Sequence, residues 1–340
     1  MPEYEVKSFF LSVGLGDAAV HLLFEKSTAS LNKYSKVLGA VLIDGGLISA
    51  LGRLKVAIGD LHHVYGTFKF TSIVVTHWDS DHYRALMRML YDDMTTNVEP
   101  DKWKYVDRKT TTFYCPATAS SKVFGAAGEW GRFVRTAPDG NGEATLCFLA
   151  GGVRREACRL IYGTYCLGYD LFTGEHSSKS VKLHLPIDSL LTYSKELKAG
   201  GPPVFLCIGA DSRLINQQPI APQAQQAKKE QAAKLMNDSS ILAVIAWPLM
   251  VSGKPRLSLY TGGDAEEDRE VEVLKWVGNE AVQSTIDVIK LGHHGSHNAT
   301  PELMGHCRTQ YFVVSAGEDH GHPSKQPEGD ADVPSIRSAG

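Results

Sequence analysis

Six residues, His77-Trp78-Asp79-Ser80-Asp81-His82, place two imidazoles and two carboxylates in one short segment. Imidazole nitrogens and carboxylate oxygens hold hard or borderline divalent cations, and a cation held there can activate water for hydrolysis. The order H-x-D-x-D-H offers two pairs of donors. His77 and Asp79 point the same way in an extended loop, while Asp81 and His82 open a following helix, so the pairs can face two neighbouring ions. A surface loop with a helix-capping aspartate explains Asp79 or Asp81 alone. It leaves both histidines unexplained.

Other donors follow much later in the chain. Asp264, after Thr261-Gly262-Gly263, suits a carboxylate bridging two cations, with a simple turn as the plainer reading. His293 and His294 adjoin, so at an extended strand end only one of them faces a metal while the other packs or meets substrate. His294 is favoured as the ligand because Gly295 frees the backbone beside it. Asn237-Asp238-Ser239-Ser240 precedes a strand and suits a cap, a turn or a substrate contact. Asp44 ends a strand before two glycines, where it can orient a ligand histidine rather than touch a metal. His322, in Gly321-His322-Pro323, is by itself a lone loop histidine.

The elements that must position these groups are readable from period and punctuation. Apolar runs over Lys7–Val13 and Ala18–Phe24, separated by Gly14-Leu15-Gly16-Asp17, predict paired strands. Val37–Ile43 predicts another strand, and the β-branched run ending at Val75 predicts one that delivers His77. Leu86, Met89 and Leu90 carry helical spacing within Tyr83–Tyr91. Residues 1–94 therefore form one unit of strands, loop and helix. Residues 95–235 read as a long insertion with short strands at Thr111–Cys115, Thr145–Leu149, Arg159–Gly163 and Val204–Gly209. Regular alternation resumes over 236–325, with strands at Ser240–Trp247, Arg256–Tyr260, Thr285–Leu291 and Tyr311–Val314, a helix at Glu266–Val277, and a polar tail at 326–340.

Composition excludes more than it selects. The 340 residues are 43% hydrophobic and 21% charged with a formal net charge of −3, a globular balance with no overall electrostatic pull on nucleic acid. Basic residues do cluster locally at Lys102, Lys104, Arg108 and Lys109 and at Arg132, Arg135, Arg154, Arg155 and Arg159, as solvated surface or as a phosphate-tracking groove. Six cysteines without a C-x-x-C pair point to reduced, buried thiols. The longest apolar run, Ile241–Val251, contains Pro248 and is too short to span a bilayer. A soluble, cytoplasmic protein without a membrane segment is the expectation.

Seven short motifs occur in one order: Gly14-x-Gly16-Asp17-Ala18, Leu42-Ile43-Asp44-Gly45-Gly46, Thr76-His77-x-Asp79-x-Asp81-His82, Asn237-Asp238-x-Ser240, Thr261-Gly262-Gly263-Asp264, Lys290-x-Gly292-His293-His294-Gly295-Ser296 and Gly321-His322-Pro323. In that order they resemble the metallo-β-lactamase-fold domain of ComEC/Rec2-type competence proteins. The resemblance implies an α/β fold, an αββα sandwich with a long insertion, whose halves are residues 1–94 and 236–325. It implies a dinuclear centre of two divalent ions, Zn or Mn with Mg as a further choice, held by His77, Asp79, Asp81, His82, Asp264 and one of His293 and His294. It also implies contacts of the Asn237 and His322 motifs with substrate or transition state, and hydrolysis, with phosphodiester cleavage of DNA as the family's proposed activity.

On this reading Asp81 orients the nucleophile, and Asp79, where many relatives carry histidine, shifts metal preference toward Mn or Mg. His322 or the unligated histidine protonates the leaving group, while His293, Ser296 and Asp238 face substrate. The basic residues of the insertion would form a phosphate-facing wall. The alternative substrate is a small-molecule lactone, ester or thioester, held in a pocket lined by Trp103, Tyr105, Phe113, Tyr114 and Trp130. A non-catalytic binding protein on the same fold is the third possibility.

Overall fold

The computed structural model describes residues 3–26, 36–97, 99–117, 120, 123–124, 132–140, 142–163, 169–173, 175–176, 199–211, 213–214, 235–248, 256–266, 269–271, 286–295 and 309–315. Ten runs of this chain build a first sheet and its two helices. The strands are β1 (Glu3–Phe10), β2 (Ala18–Lys26), β3 (Val37–Asp44), β4 (Ser72–Val74), β5 (Thr112–Cys115), β6 (Phe133–Arg135), β7 (Glu143–Ala150) and β8 (Val153–Tyr162), and the helices are α1 (Leu51–Tyr65) and α2 (Ser80–Thr96). The sheet order is β1-β2-β3-β4-β5-β8-β7-β6, with β3, β4, β5 and β8 parallel at its centre. A second sheet contains β9 (Tyr169–Asp170), β10 (Glu175–His176), β11 (Val204–Ala210), β12 (Arg213–Leu214), β13 (Leu242–Trp247), β14 (Arg256–Thr261), β15 (Ile286–Lys290) and β16 (Thr309–Val313). Its order is β10-β9-β11-β13-β14-β15-β16, with β12 on β11, and β14, β15 and β16 are parallel.

Alternation along the central strands explains the layering. In β3, Val41 and Ile43 join a core with Phe205, Val244, Leu259 and Ile289 of the second sheet. Ala40 and Leu42, pointing the other way, join a core with Leu54, Ile58 and Leu61 of α1 and Leu86, Met89 and Leu90 of α2. A strand buried on both faces must be largely apolar, as β3 and β5 are. The described residues thus form a helical layer, a first sheet and a second sheet in an α/β arrangement. Of the helix expected over Glu266–Val277, only 266 and 269–271 lie among them, with 269–271 helical.

The segment 95–235 is distributed between the layers. Its strands β5 to β8 extend the first sheet and β9 to β12 the second. Trp103, Tyr105, Phe113 and Tyr114 are at most 5% exposed and fill the two cores, so they line no open pocket; Trp130 lies outside the described residues. Arg159 pairs with Thr112 at the start of β5, and Lys102 to Lys109 precede that start, which puts these basic residues at the amino end of the parallel strands. Arg108 is moreover paired with Glu156, 2.5 Å away. Among the described residues no helix is long and apolar enough to cross a membrane.

Candidate metal centre

The chemistry gathers at the opposite end, where the parallel strands stop. Asp44 ends β3, His77 follows β4, Asp264 follows β14, and His294 follows β15. Carboxyl ends of parallel strands are natural sites because the loops leaving them converge outside the sheet. The β1–β2 turn joins them, its Asp17 N–H donating to the Asp81 carbonyl at 3.3 Å.

Asp264 lies at the middle of the cluster. Its Oδ2 is 3.3 Å from His82 Nε2, 3.4 Å from His294 Nε2 and 3.8 Å from His77 Nε2. Asp81 stands opposite, with Oδ2 3.1 Å from His294 Nε2 and Oδ1 3.9 Å from His82 Nε2. Four donors about 2.1 Å from one tetrahedral ion are about 3.4 Å apart, and these separations bracket that value. Two overlapping groups, His77 with His82 and Asp264 and then Asp81 with His82 and His294, each bring their donor atoms within 4.8 Å of one another.

The surrounding groups aim these donors. His82 Nδ1 lies 2.9 Å from Asp44 Oδ2, and the other Asp44 oxygen accepts the Thr76 N–H at 2.8 Å. The Thr76 hydroxyl donates to Asp44 Oδ2 at 2.6 Å. His294 Nδ1 donates to the Ser315 carbonyl at 2.8 Å. Each imidazole with its Nδ1 proton held this way presents the Nε2 lone pair to the centre. Backbone strain accompanies the arrangement: Asp44, His293 and His294 have φ of 56°, 45° and 53°, a region that side chains other than glycine's seldom occupy.

The donor atoms fit a cation. The Nε2 atoms of His77, His82 and His294 and Oδ1 of Asp264 are buried and make no directed hydrogen bond. Such atoms are costly to bury unless something binds them. Burial opposes charge on His294, yet Asp264 and Asp81 hold its pKa up to about 10; the same contest leaves His82 well above its ordinary value, through Asp264 and Asp44. Burial lowers His77 to about 3, so it is a neutral donor. Burial raises Asp81, but the His294 imidazole 3.1 Å away and the His82 charge outweigh it and bring the group to about 2. The pocket thus holds ionised carboxylates beside imidazoles that carry protons where a metal would otherwise supply positive charge.

Not every residue expected at the site is in the cluster. Asp79 is exposed and caps α2, its carboxylate accepting the Ser80 N–H at 2.5 Å, and it belongs to none of the converging groups among the described residues. The separation is physical: an N-cap side chain must turn back onto its own helix. His293 is partly buried with its Nδ1 3.8 Å from Glu266, and His294 takes the central position. Asn237 and Asp238 occupy a helical turn just before β13, and among the described residues Asp238 is in no converging group. Ser240, which follows them, accepts the Asp264 N–H on its hydroxyl at 3.2 Å. Ser296 and His322 lie outside the described residues.

Three buried groups at the site carry no sequence expectation of a role there. Asp17, 2% exposed, forms an ion pair with Lys290 and lies 3.7 Å from His294 Nδ1. Their only signal in the sequence is membership of the Gly14-to-Ala18 and Lys290-to-Ser296 motifs. The third is Glu270, fully buried, with burial pushing its carboxyl up to about 8 against the pull of Lys290. No protein-family model matches the chain, and no curated protein matches it.

Proposed function

We propose that this protein is a metal-dependent hydrolase of the metallo-β-lactamase kind, cleaving phosphodiesters as the competence-protein resemblance implies. The helix, sheet, sheet layering supports an αββα sandwich for the whole. The observation that carries the reading is the convergence of three unbonded imidazole Nε2 atoms with the carboxylates of Asp81 and Asp264 at the ends of parallel strands. With Asp79 turned away, the donors are three nitrogens and two carboxylates, a set that suits Zn or Mn better than Mg. The two groups overlap at His82, and with Asp264 within 3.8 Å of all three imidazole Nε2 atoms these residues would hold the divalent ions. Divalent ions bound there supply the Lewis acidity that activates water and offsets charge on a phosphoryl oxygen.

The chain's own residues do the rest. Asp81, at the open side of the cluster, orients an attacking water. Asp44 and the Ser315 carbonyl keep His82 and His294 in one tautomer through catalysis. The Arg53 guanidinium lies against Gly14, in the turn that carries Asp17, and faces solvent there as an attractor for an anionic substrate. The basic residues of 102–109 lie at the other end of the sheet and take no part.

The test is an activity panel of DNA, RNA, cyclic dinucleotides and a generic phosphodiester ester beside lactones and thioesters, run with Mn, Zn and Mg. Phosphodiester turnover that drops roughly 100-fold or more in Asp81→Asn supports the proposal. Metal-loaded protein that turns over no phosphodiester sinks it, and turnover confined to a lactone or thioester replaces it with the carbonyl reading.

A further inference from the structure

The parallel ladder between β14 and β15 ends at Thr261 and Lys290, one residue before Gly262 and two before Gly292. From there Gly262-Gly263-Asp264 and Gly292-His293-His294 leave the sheet side by side, joined directly by the His293 N–H donating to the Gly263 carbonyl at 3.1 Å. The Glu270 carboxyl fills the gap between them. A Cβ at Gly262 would lie 2.3 Å from Glu270 Oε1, and one at Gly292 would lie 2.8 Å from Oε2, so the absence of side chains at both glycines is what admits the carboxyl. The Tyr260 hydroxyl and the Gly292 backbone lie beside it, and the Lys290 charge faces it. Lys290 is itself paired with Asp17, which ties the β1–β2 turn into the same buried network.

We propose that Glu270 is a positioning residue of the metal centre, spanning the backbones of Gly262 and Gly292 and so setting the distance between Asp264 and His294. It touches no donor atom of the cluster. Together with the His293-to-Gly263 hydrogen bond, it braces the two loops where the ladder of the sheet stops. Donor separations near 3.4 Å leave little room for movement of the loops. The inference rests on reading the cluster as a metal centre.

Cobalt(II) is the probe, because its visible absorption reports the geometry of its ligands, titrated into the full chain and into Glu270→Gln, Glu270→Asp and Val271→Ala. Val271 is the buried neighbour of Glu270 and controls for general loss of stability. Glutamine keeps the length and an acceptor, so its cobalt affinity stays within about threefold of the parent. Aspartate keeps the carboxyl but cannot span both glycines, so affinity falls about 10- to 100-fold and the absorption spectrum changes. Val271→Ala lowers the melting temperature without changing affinity or spectrum. An aspartate variant that binds as the parent does, a glutamine variant as weak as the aspartate one, or an equal loss in Val271→Ala overturns the proposal. A parent chain that binds no cobalt removes the metal centre and this role with it, whereas a parent that binds while all variants bind alike removes only the role of Glu270.

Discussion

His82 shows how much work single contacts do at this site. Its Nε2 faces Asp264 at 3.3 Å while its Nδ1 is fixed by Asp44 at 2.9 Å, so one ring is both a donor and a reporter of the carboxylate behind it. Replacing Asp44 by alanine releases that ring and strands the Thr76 N–H, and metal affinity measured by chelator competition is expected to fall about 10- to 100-fold. His294 makes the site pH-sensitive in a defined direction. Its folded pKa of about 10 lies above its ordinary 6.5, so the proton's contribution to the metal-free fold is complete below pH 6.5 and is lost as pH rises toward 10. A metal must displace that proton. Metal affinity therefore rises with pH across this window, by up to about tenfold per unit for the one proton, and calorimetry in buffers of different ionisation enthalpy should detect its release. Binding that is flat between pH 6.5 and 9 would contradict the assignment of His294 as a donor.

At the scale of elements, α2 separates two aspartates that are two residues apart in sequence. Asp79 is its N-cap and is exposed, while Asp81 in its first turn faces the cluster. Asp79→Ala is thus expected to cost about 1 kcal/mol of stability in urea denaturation and to leave metal affinity unchanged. A loss of affinity to match Asp81→Asn would restore Asp79 as a ligand. The same helix shows what sequence patterning conveys. Its apolar stripe makes the helix legible, and most of the strands were legible as apolar runs to within a few residues, β3 over Val37–Asp44 against the expected Val37–Ile43 being typical. No helix is signalled over 51–65, although Leu54, Ile58 and Leu61 of α1 carry helical spacing, because Gly52 and Gly59 dilute its propensity and no capping side chain announces its start. Packing on the first sheet supplies what propensity does not.

Across the whole molecule, the donors come from both sheets. His77, Asp81 and His82 follow β4 of the first, and Asp264 and His294 follow β14 and β15 of the second. A cation bound by all of them ties the layers together in addition to the apolar core between the sheets. Saturating metal, at about 100 times its Kd, is expected to stabilise the fold by roughly 2.7 kcal/mol, and a chelator should remove that increment reversibly. A melting temperature indifferent to Zn, Mn and chelator would rule out a centre shared between the sheets.

What the sequence determined by itself was donor chemistry and local structure. The residues from His77 to His82, the aspartate after Thr-Gly-Gly and the paired histidines are recognisable as ligand types at strand ends because type and local period are properties of a short stretch of chain. Only the tertiary structure decided which of them face one another. It turned Asp79 outward and His294 inward, drew Asp17 and Lys290 into a buried pair, and set Glu270 between two glycine backbones. Convergence depends on the angles at which loops leave two different sheets, and those angles are set by contacts between residues nearly two hundred positions apart, which no local pattern encodes.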